Sequence, residues 1–181
     1  MPRALITAED LEHITVPNKS TELVRGQLVV REPPGAEHGF VTLRIAAAIA
    51  RWVDDNQLGA AFAAETGFKI FTDPDTVRAP DASFVTASRL PVTLPRGFLS
   101  IAPDLVVEVV SPSDRPGEVL SKVGDWIEAG SRLVWVVDPP RSIARVYRAD
   151  GSESTIQIGG SLEGEDVLRG FSVALARVLQ R

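Results

Sequence analysis

The sequence predicts an α/β protein in which a central mixed β-sheet is flanked by helices, with an N-terminal β-hairpin as an extension. Three observations carry this. The runs "LVVEVV" (residues 105–110) and "LVWVVD" (133–138) have the β-branched composition of strands covered on both faces. Between them, residues 117–129 place Val119, Leu120, Val123, Trp126 and Ile127 on one helical face. Strand, helix and strand then alternate around this valine-rich centre, which favours α/β over an all-β barrel.

Element by element, "TAED" (7–10) pairs a cap-forming Thr with an acid three residues on and starts a short helix. "ELVRGQLVVRE" (22–32) reads as two strands around a turn at Arg25-Gly26, and "PPGAEHG" breaks the chain after it. Residues 38–53 form a helix, because Val41, Ile45, Ala48, Ile49 and Trp52 recur at spacings of three and four. "AAFAAETGFKIF" (60–71) resumes as strand, "TDPD" (72–75) turns it, and "APDASFV" (79–85) is a further short strand. Gly130 ends the 117–129 helix. "IARVYR" (143–148) follows the 133–138 strand across the turn "PPRS", "STIQIG" (154–159) is an edge strand, and "VALARVLQR" (173–181) closes the chain as a helix. The expected organisation is one domain over 1–181, with the N-terminal helix and hairpin in 1–36 and the core and C-terminal segment in 37–181.

Composition narrows the chemistry. A formal net charge of −5 provides no overall basic field for nucleic acid, although 16 of the 19 cationic residues are arginine and could still form a local basic cleft. With no cysteine, disulfides, thiolate zinc sites and cysteine nucleophiles are excluded, and two histidines, His13 and His38, are too few for a multi-histidine zinc centre. The N-terminal residues lack a signal-peptide pattern and no apolar run reaches the ~20 residues of a membrane helix, so a cytoplasmic protein with no membrane contact is expected.

Glu108 stands inside the 105–110 run, sharing a face with Val106 and Val110 while Leu105, Val107 and Val109 take the other. An unpaired carboxylate there would cost on the order of several kcal/mol, so it needs an arginine partner, water at the strand end, or a metal. Asp81, just inside the 79–85 strand, reads alone as a strand-entry residue. Together the two acids can converge on one divalent cation, and Mg²⁺ takes one or two carboxylates with waters and phosphate oxygens. Lys122, one of three lysines, flanks the apolar face of the following helix and either reaches the strand ends or lies along the surface. Trp126 and Trp135 fall within apolar periodicities and read as core. Ser113 or Asp114 reads as the cap of the 117–129 helix, and Arg78, Arg89 and Arg115 are the candidates for a basic rim.

These residues resemble the PD-(D/E)XK nuclease core: "APD" (79–81) matches its PD element and "VVEVV" (106–110) its second-acid strand. Val110 occupies the position where that pattern has lysine. The ordered run "ELVRGQLVV", "PPGAEHG", "VRAPDASFV", "PDLVVEVVSPSDRPGEVLSKVGDWIEAG" and "LVWVVDPPRSIARVYR" is similar to the Uma-two family of restriction-endonuclease-like proteins. That resemblance implies a restriction-endonuclease-like core. It also implies Asp81 and Glu108 as metal ligands, Lys122 as the lysine displaced onto the following helix, and Glu22 and His38 as additional site residues. Family members often carry Asp-Gly-Glu where this chain has Arg25-Gly26-Gln27. The function expected on this basis is Mg²⁺-dependent hydrolysis of DNA, with Mn²⁺ as a substitute, Val109 offering its backbone carbonyl to the metal, and a homodimer carrying two sites for two strands. A nuclease-fold binding protein of little or no activity, and a structural domain with a Glu108–Lys122 ion pair, are the competing expectations.

Overall fold

The structure, a computed structural model, describes residues 4–180. Residues 1–3 of the expected N-terminal extension and Arg181 of the expected final helix lie outside the described residues.

Helix α1 (Ala8–Glu12) begins with the reciprocal capping box expected of "TAED": Asp10 N–H donates to Thr7 Oγ1, and Thr7 N–H donates to Asp10 Oδ2. Strands β1 (Ser20–Val24) and β2 (Gln27–Arg31) form the expected hairpin. Its turn residues Arg25 and Gly26 have φ of 49° and 73°, the positive values that a two-residue turn needs to match strand twist. The hairpin is built into a four-stranded sheet of order β2-β1-β5-β4, with β4 (Phe68–Phe71) and β5 (Thr76–Arg78).

Helix α2 (Ala36–Asp55) extends two residues beyond the expected segment at each end. The central sheet has six strands in the order β10-β9-β8-β7-β6-β3. They are β3 (Gly59–Ala63), β6 (Ala82–Thr86), β7 (Leu105–Val109), β8 (Leu133–Asp138), β9 (Ile143–Arg148) and β10 (Glu153–Gln157). Strands β7 and β8 are parallel and are joined through α3 (Pro116–Glu128), whereas the other neighbours are antiparallel. The sheet is therefore mixed, and β10 is its edge, as expected.

Two expectations fail. Residues 60–71 are not one strand: β3 and β4 belong to different sheets. Thr66 N–H bonds back to Ala63 O and Glu65 takes a φ of 66°, so the chain turns before Phe68. Residues 173–181 are not one helix either. Ser172–Ala174 is β12, paired with β11 (Ser161–Glu163), and only Leu175–Leu179 is helical (α4). Around Val173 the burial alternates with period two, the strand signal, before Leu175 and Val178 resume helical spacing.

The two faces of β7 separate as its alternation requires. Leu105, Val107 and Val109 pack with Val41, Ile45, Ile49 and Val53 of α2, while Val106 packs with Val123 and Trp126 of α3. Trp126 and Trp135 are both fully buried, as expected, and Trp135 stacks on Phe171 at 5.9 Å between ring centroids. Among the described residues no helix is long and apolar enough to cross a membrane. Because α2 is held by one face, Ile49→Ala should cost about 2–5 kcal/mol of stability in urea unfolding. Leu43→Ala, on the exposed side of the same helix, should stay within about 0.5 kcal/mol.

Candidate active site

The site forms where the start of β6 meets the end of β7. These strands are antiparallel with Ala82 opposite Val107, which brings Asp81 beside Glu108. Asp81 immediately precedes β6 rather than lying inside it, but its N–H still joins the ladder, donating to Val107 O at 3.0 Å. Its Oδ2 accepts from Val109 N–H at 2.7 Å. The backbone thus fixes the carboxylate at the mouth of the β6–β7 pair.

Glu108 projects to the α3 side and is 7% exposed. Its Oε1 accepts from Trp126 Nε1 at 2.9 Å and its Oε2 from Lys122 Nζ at 3.1 Å. Lys122 and Trp126 are four apart on α3, so one helical face delivers both donors. Burial pushes the Glu108 carboxyl up from its ordinary pKa. Lys122 pulls it down, but the charges of Asp81 and Glu22 add to burial and the balance remains upward. Lys122 is pushed down by its burial, yet the Glu108 and Glu22 charges prevail and hold it above its ordinary value. It is a fixed ammonium at neutral pH, suited to stabilising negative charge rather than accepting a proton.

Glu22, on β1, is the hub beneath this pair. Its Oε1 faces Lys122 Nζ at 3.4 Å and accepts from Ala79 N–H at 3.1 Å. Its Oε2 accepts from Arg78 and from Arg31, each at 3.2 Å. Burial raises the Glu22 pKa, but Lys122, Arg78, the Ala79 N–H and Arg31 together bring it below the ordinary value. Glu22 is therefore not a solvated charge at the strand edge. It holds three cations, with both oxygens engaged, and supports the lysine rather than facing open solvent.

Arg78, expected on a basic rim, is instead buried at 4% exposure between Glu22 and Asp125, with its Nε 3.0 Å from Asp125 Oδ2. The reason is its place on β5, which brings it under α3 beside Asp125. Asp125 was missed in the sequence. Its signal was an acid lodged between Val123 and Trp126 on the apolar face of the helix. Arg89 is also paired, donating to Asp104 Oδ1 at 2.7 Å and to Ala102 O at 2.8 Å. Of the three expected rim arginines only Arg115 is exposed without a described ion pair, and it is the N-cap residue of α3. Neither Ser113 nor Asp114 caps that helix: Asp114 Oδ2 accepts from Ser111 N–H at 2.8 Å, and Ser113 Oγ lies 2.9 Å from Ser111 Oγ.

His38, in the first turn of α2, reaches the same point from the other side of the sheet. Its Nε2 is 3.2 Å from Asp81 Oδ2 and its Nδ1 is 3.4 Å from Thr42 Oγ1. Burial lowers its pKa, but Asp81, Asp114 and the Val109 backbone outweigh this and raise it. His13, at the end of α1, is exposed. Gln27 is exposed at the hairpin turn and, among the described residues, makes no hydrogen bond to the acids. Val110, in the position of the pattern's lysine, lines the small cavity that the site opens into.

That cavity, of about 20 Å³, is lined by Arg31, Glu108, Val109 and Lys122 among others, room for about one water. Among the described residues no three His, Cys, Asp or Glu side chains gather as a complete cage. Asp81 and Glu108, set opposite each other by the β6–β7 register, nevertheless have the oxygen chemistry of a hard cation that retains waters. A divalent ion would also relieve the crowding of negative charge that raises Glu108.

Two outcomes follow. Glu22→Gln would leave Lys122, Arg78 and Arg31 short of a charge, costing about 3–5 kcal/mol at neutral pH. Because the folded pKa of Glu22 is lowered, its contribution is full above the ordinary glutamate range and is lost as pH falls below about 4.3 through the folded value. Acid titration of the variant should show a flatter acid limb. Trp126→Phe removes the donor to Glu108 and should cost about 1.5–3 kcal/mol in urea unfolding. Trp135→Phe should cost less, since the Trp135 indole N–H is buried without a partner among the described residues.

A family model described as "Putative restriction endonuclease" matches residues 8–176, a span that includes Glu22, His38, Asp81, Glu108 and Lys122. The fold is similar to that of a crystal structure described as a "putative nuclease belonging to DUF820" from Anabaena variabilis. The TM-score is 0.82 at 19% identity, over 96% of this chain and 97% of that one. No curated protein matches. The match over 8–176 shows that this chain belongs to the Uma2 family, with a mixed α/β, restriction-endonuclease-like fold.

Proposed function

We propose that the protein is a Mg²⁺-dependent endonuclease that hydrolyses DNA phosphodiester bonds, with Mn²⁺ able to replace Mg²⁺. The observation that carries this reading is the register that sets Asp81 opposite Glu108 at the end of β7, with Lys122 Nζ 3.1 Å from Glu108 Oε2. Asp81, Glu108 and the Val109 carbonyl would hold the ion. When bound, Mg²⁺ supplies Lewis acidity toward a phosphoryl oxygen and lowers the pKa of a coordinated water.

The chain's own groups account for the rest. His38 and the Val109 N–H orient the Asp81 carboxylate, and the Trp126 N–H orients that of Glu108. Lys122 remains protonated and stabilises the charge that develops on the phosphoryl oxygens, a role for a preorganised cation in a site shielded from water. The displacement of lysine from position 110 to α3 keeps its ammonium at the same carboxylate. Cutting both strands of a duplex calls for two sites, and we extend the proposal to a homodimer with two-fold symmetry.

One observation favours a second reading, an inert nuclease fold that binds without cutting: both Glu108 oxygens already accept a hydrogen bond. Plasmid cleavage separates the two. Purified protein should nick or linearise DNA in Mg²⁺ or Mn²⁺ and stop in EDTA. Asp81→Ala, Glu108→Ala and Lys122→Ala should each slow cleavage on the order of 10²–10³-fold. Variants that cut like the wild type would reveal a contaminant, and a wild type that binds but never cuts would favour the inert reading.

A further inference from the structure

Arg31, the last residue of β2, is placed differently from every other cation at the site. Its Nε donates to Glu22 Oε2 at 3.2 Å, which anchors one edge of the guanidinium. Its Nη1 is 3.9 Å from both Asp114 Oδ1 and Glu118 Oε2, beyond hydrogen-bond range. Arginine carries five N–H donors. Only the Nε donor of Arg31 is committed among the described residues. Its side chain is 27% exposed and lines the same cavity as Glu108, Val109 and Lys122.

The other two cations have less to offer a ligand. Arg78 is buried and committed to Glu22 and Asp125. Lys122 is divided between Glu108 and Glu22. Of these three cations, Arg31 combines an anchored edge with donors uncommitted among the described residues, beside the cavity it lines.

We infer that Arg31 is the substrate-binding residue that receives a phosphate of the nucleic acid at the cavity mouth. The inference rests on the nuclease reading above and deepens it by naming the group that recognises the backbone. A guanidinium presents a planar fork that matches two phosphate oxygens, and Glu22 fixes that fork in advance. The ion pairs with Asp114 and Glu118 are long and partly exposed, so they contribute little and exchange readily for a phosphate. The same two acids would repel a phosphate at this mouth, and Arg31 is the charge that offsets them.

The test is binding of a short DNA duplex, followed by fluorescence anisotropy in Ca²⁺ across a salt series. Wild type is compared with Arg31→Ala, Arg31→Gln and Arg31→Lys, and plasmid cleavage in Mg²⁺ runs alongside. Loss of one phosphate contact should weaken binding by about tenfold. It should also reduce the slope of log K against log[salt] by about one in Arg31→Ala. Arg31→Gln, which keeps more of the side chain's bulk, should show the same change and replaces Arg31→Ala if that variant does not fold. Arg31→Lys should keep the slope and bind more weakly than wild type, because it retains the charge without the fork. A cleaving wild type whose Arg31→Ala and Arg31→Gln variants keep its slope would overturn the role of Arg31 and leave the nuclease reading intact. A wild type that neither binds nor cuts DNA would overturn both.

Discussion

Glu108 is carried on a central strand whose two faces are covered by α2 and α3, and its charge has to be matched there by donors from elsewhere in the chain. Alternation along β7 sends it to the α3 side, where Trp126 and Lys122, one helical turn apart, each take one of its oxygens. The helix that covers this face of the sheet is therefore also the helix that supplies the cation.

Matching Glu108 with a lysine creates a second requirement, since the ammonium is itself buried. Glu22 meets it from the hairpin sheet and is in turn balanced by Arg78 and Arg31, while Asp125 takes the other side of Arg78. The result is a buried chain of alternating charges that ties β1, β2, β5, β7 and α3 together. Such networks add little net stability over apolar packing, but they leave few alternative arrangements for the groups they hold. Their consequence here is geometric: the Lys122 ammonium and the Glu108 carboxylate are held together at the end of β7. Asp81 stands outside this chain, held by the Val109 N–H and His38.

The sequence made the sheet legible where burial was uniform. "LVWVVD" and "IARVYR" coincide with β8 and β9, and the α2 and α3 periodicities fall within two residues of their helices. It misled where short elements meet: strand-like composition on both sides of Glu65-Thr66-Gly67 hid the turn there, and "VALARV" satisfies strand and helix spacing in turn. Around β7, Glu108 and Lys122 stood out locally, as an acid in a valine run and a lysine on an apolar flank, whereas Asp81 alone read as a strand-entry residue and gained interest only beside Glu108. The long-range partners were not. Arg78 read as surface because a strand arginine gives no local sign that Asp125, 47 residues on, waits opposite it. Trp126 read only as core, since apolar spacing does not reveal where an indole N–H points.

The most direct test of the central claim is a crystal of the protein soaked in Mn²⁺, with anomalous density locating the ion. The account predicts a single strong peak at the end of β7, bonded to carboxylate oxygens of both Asp81 and Glu108, with the Lys122 ammonium alongside. A soaked crystal at saturating Mn²⁺ with no peak between those two carboxylates, or with its peak on other residues, would contradict it.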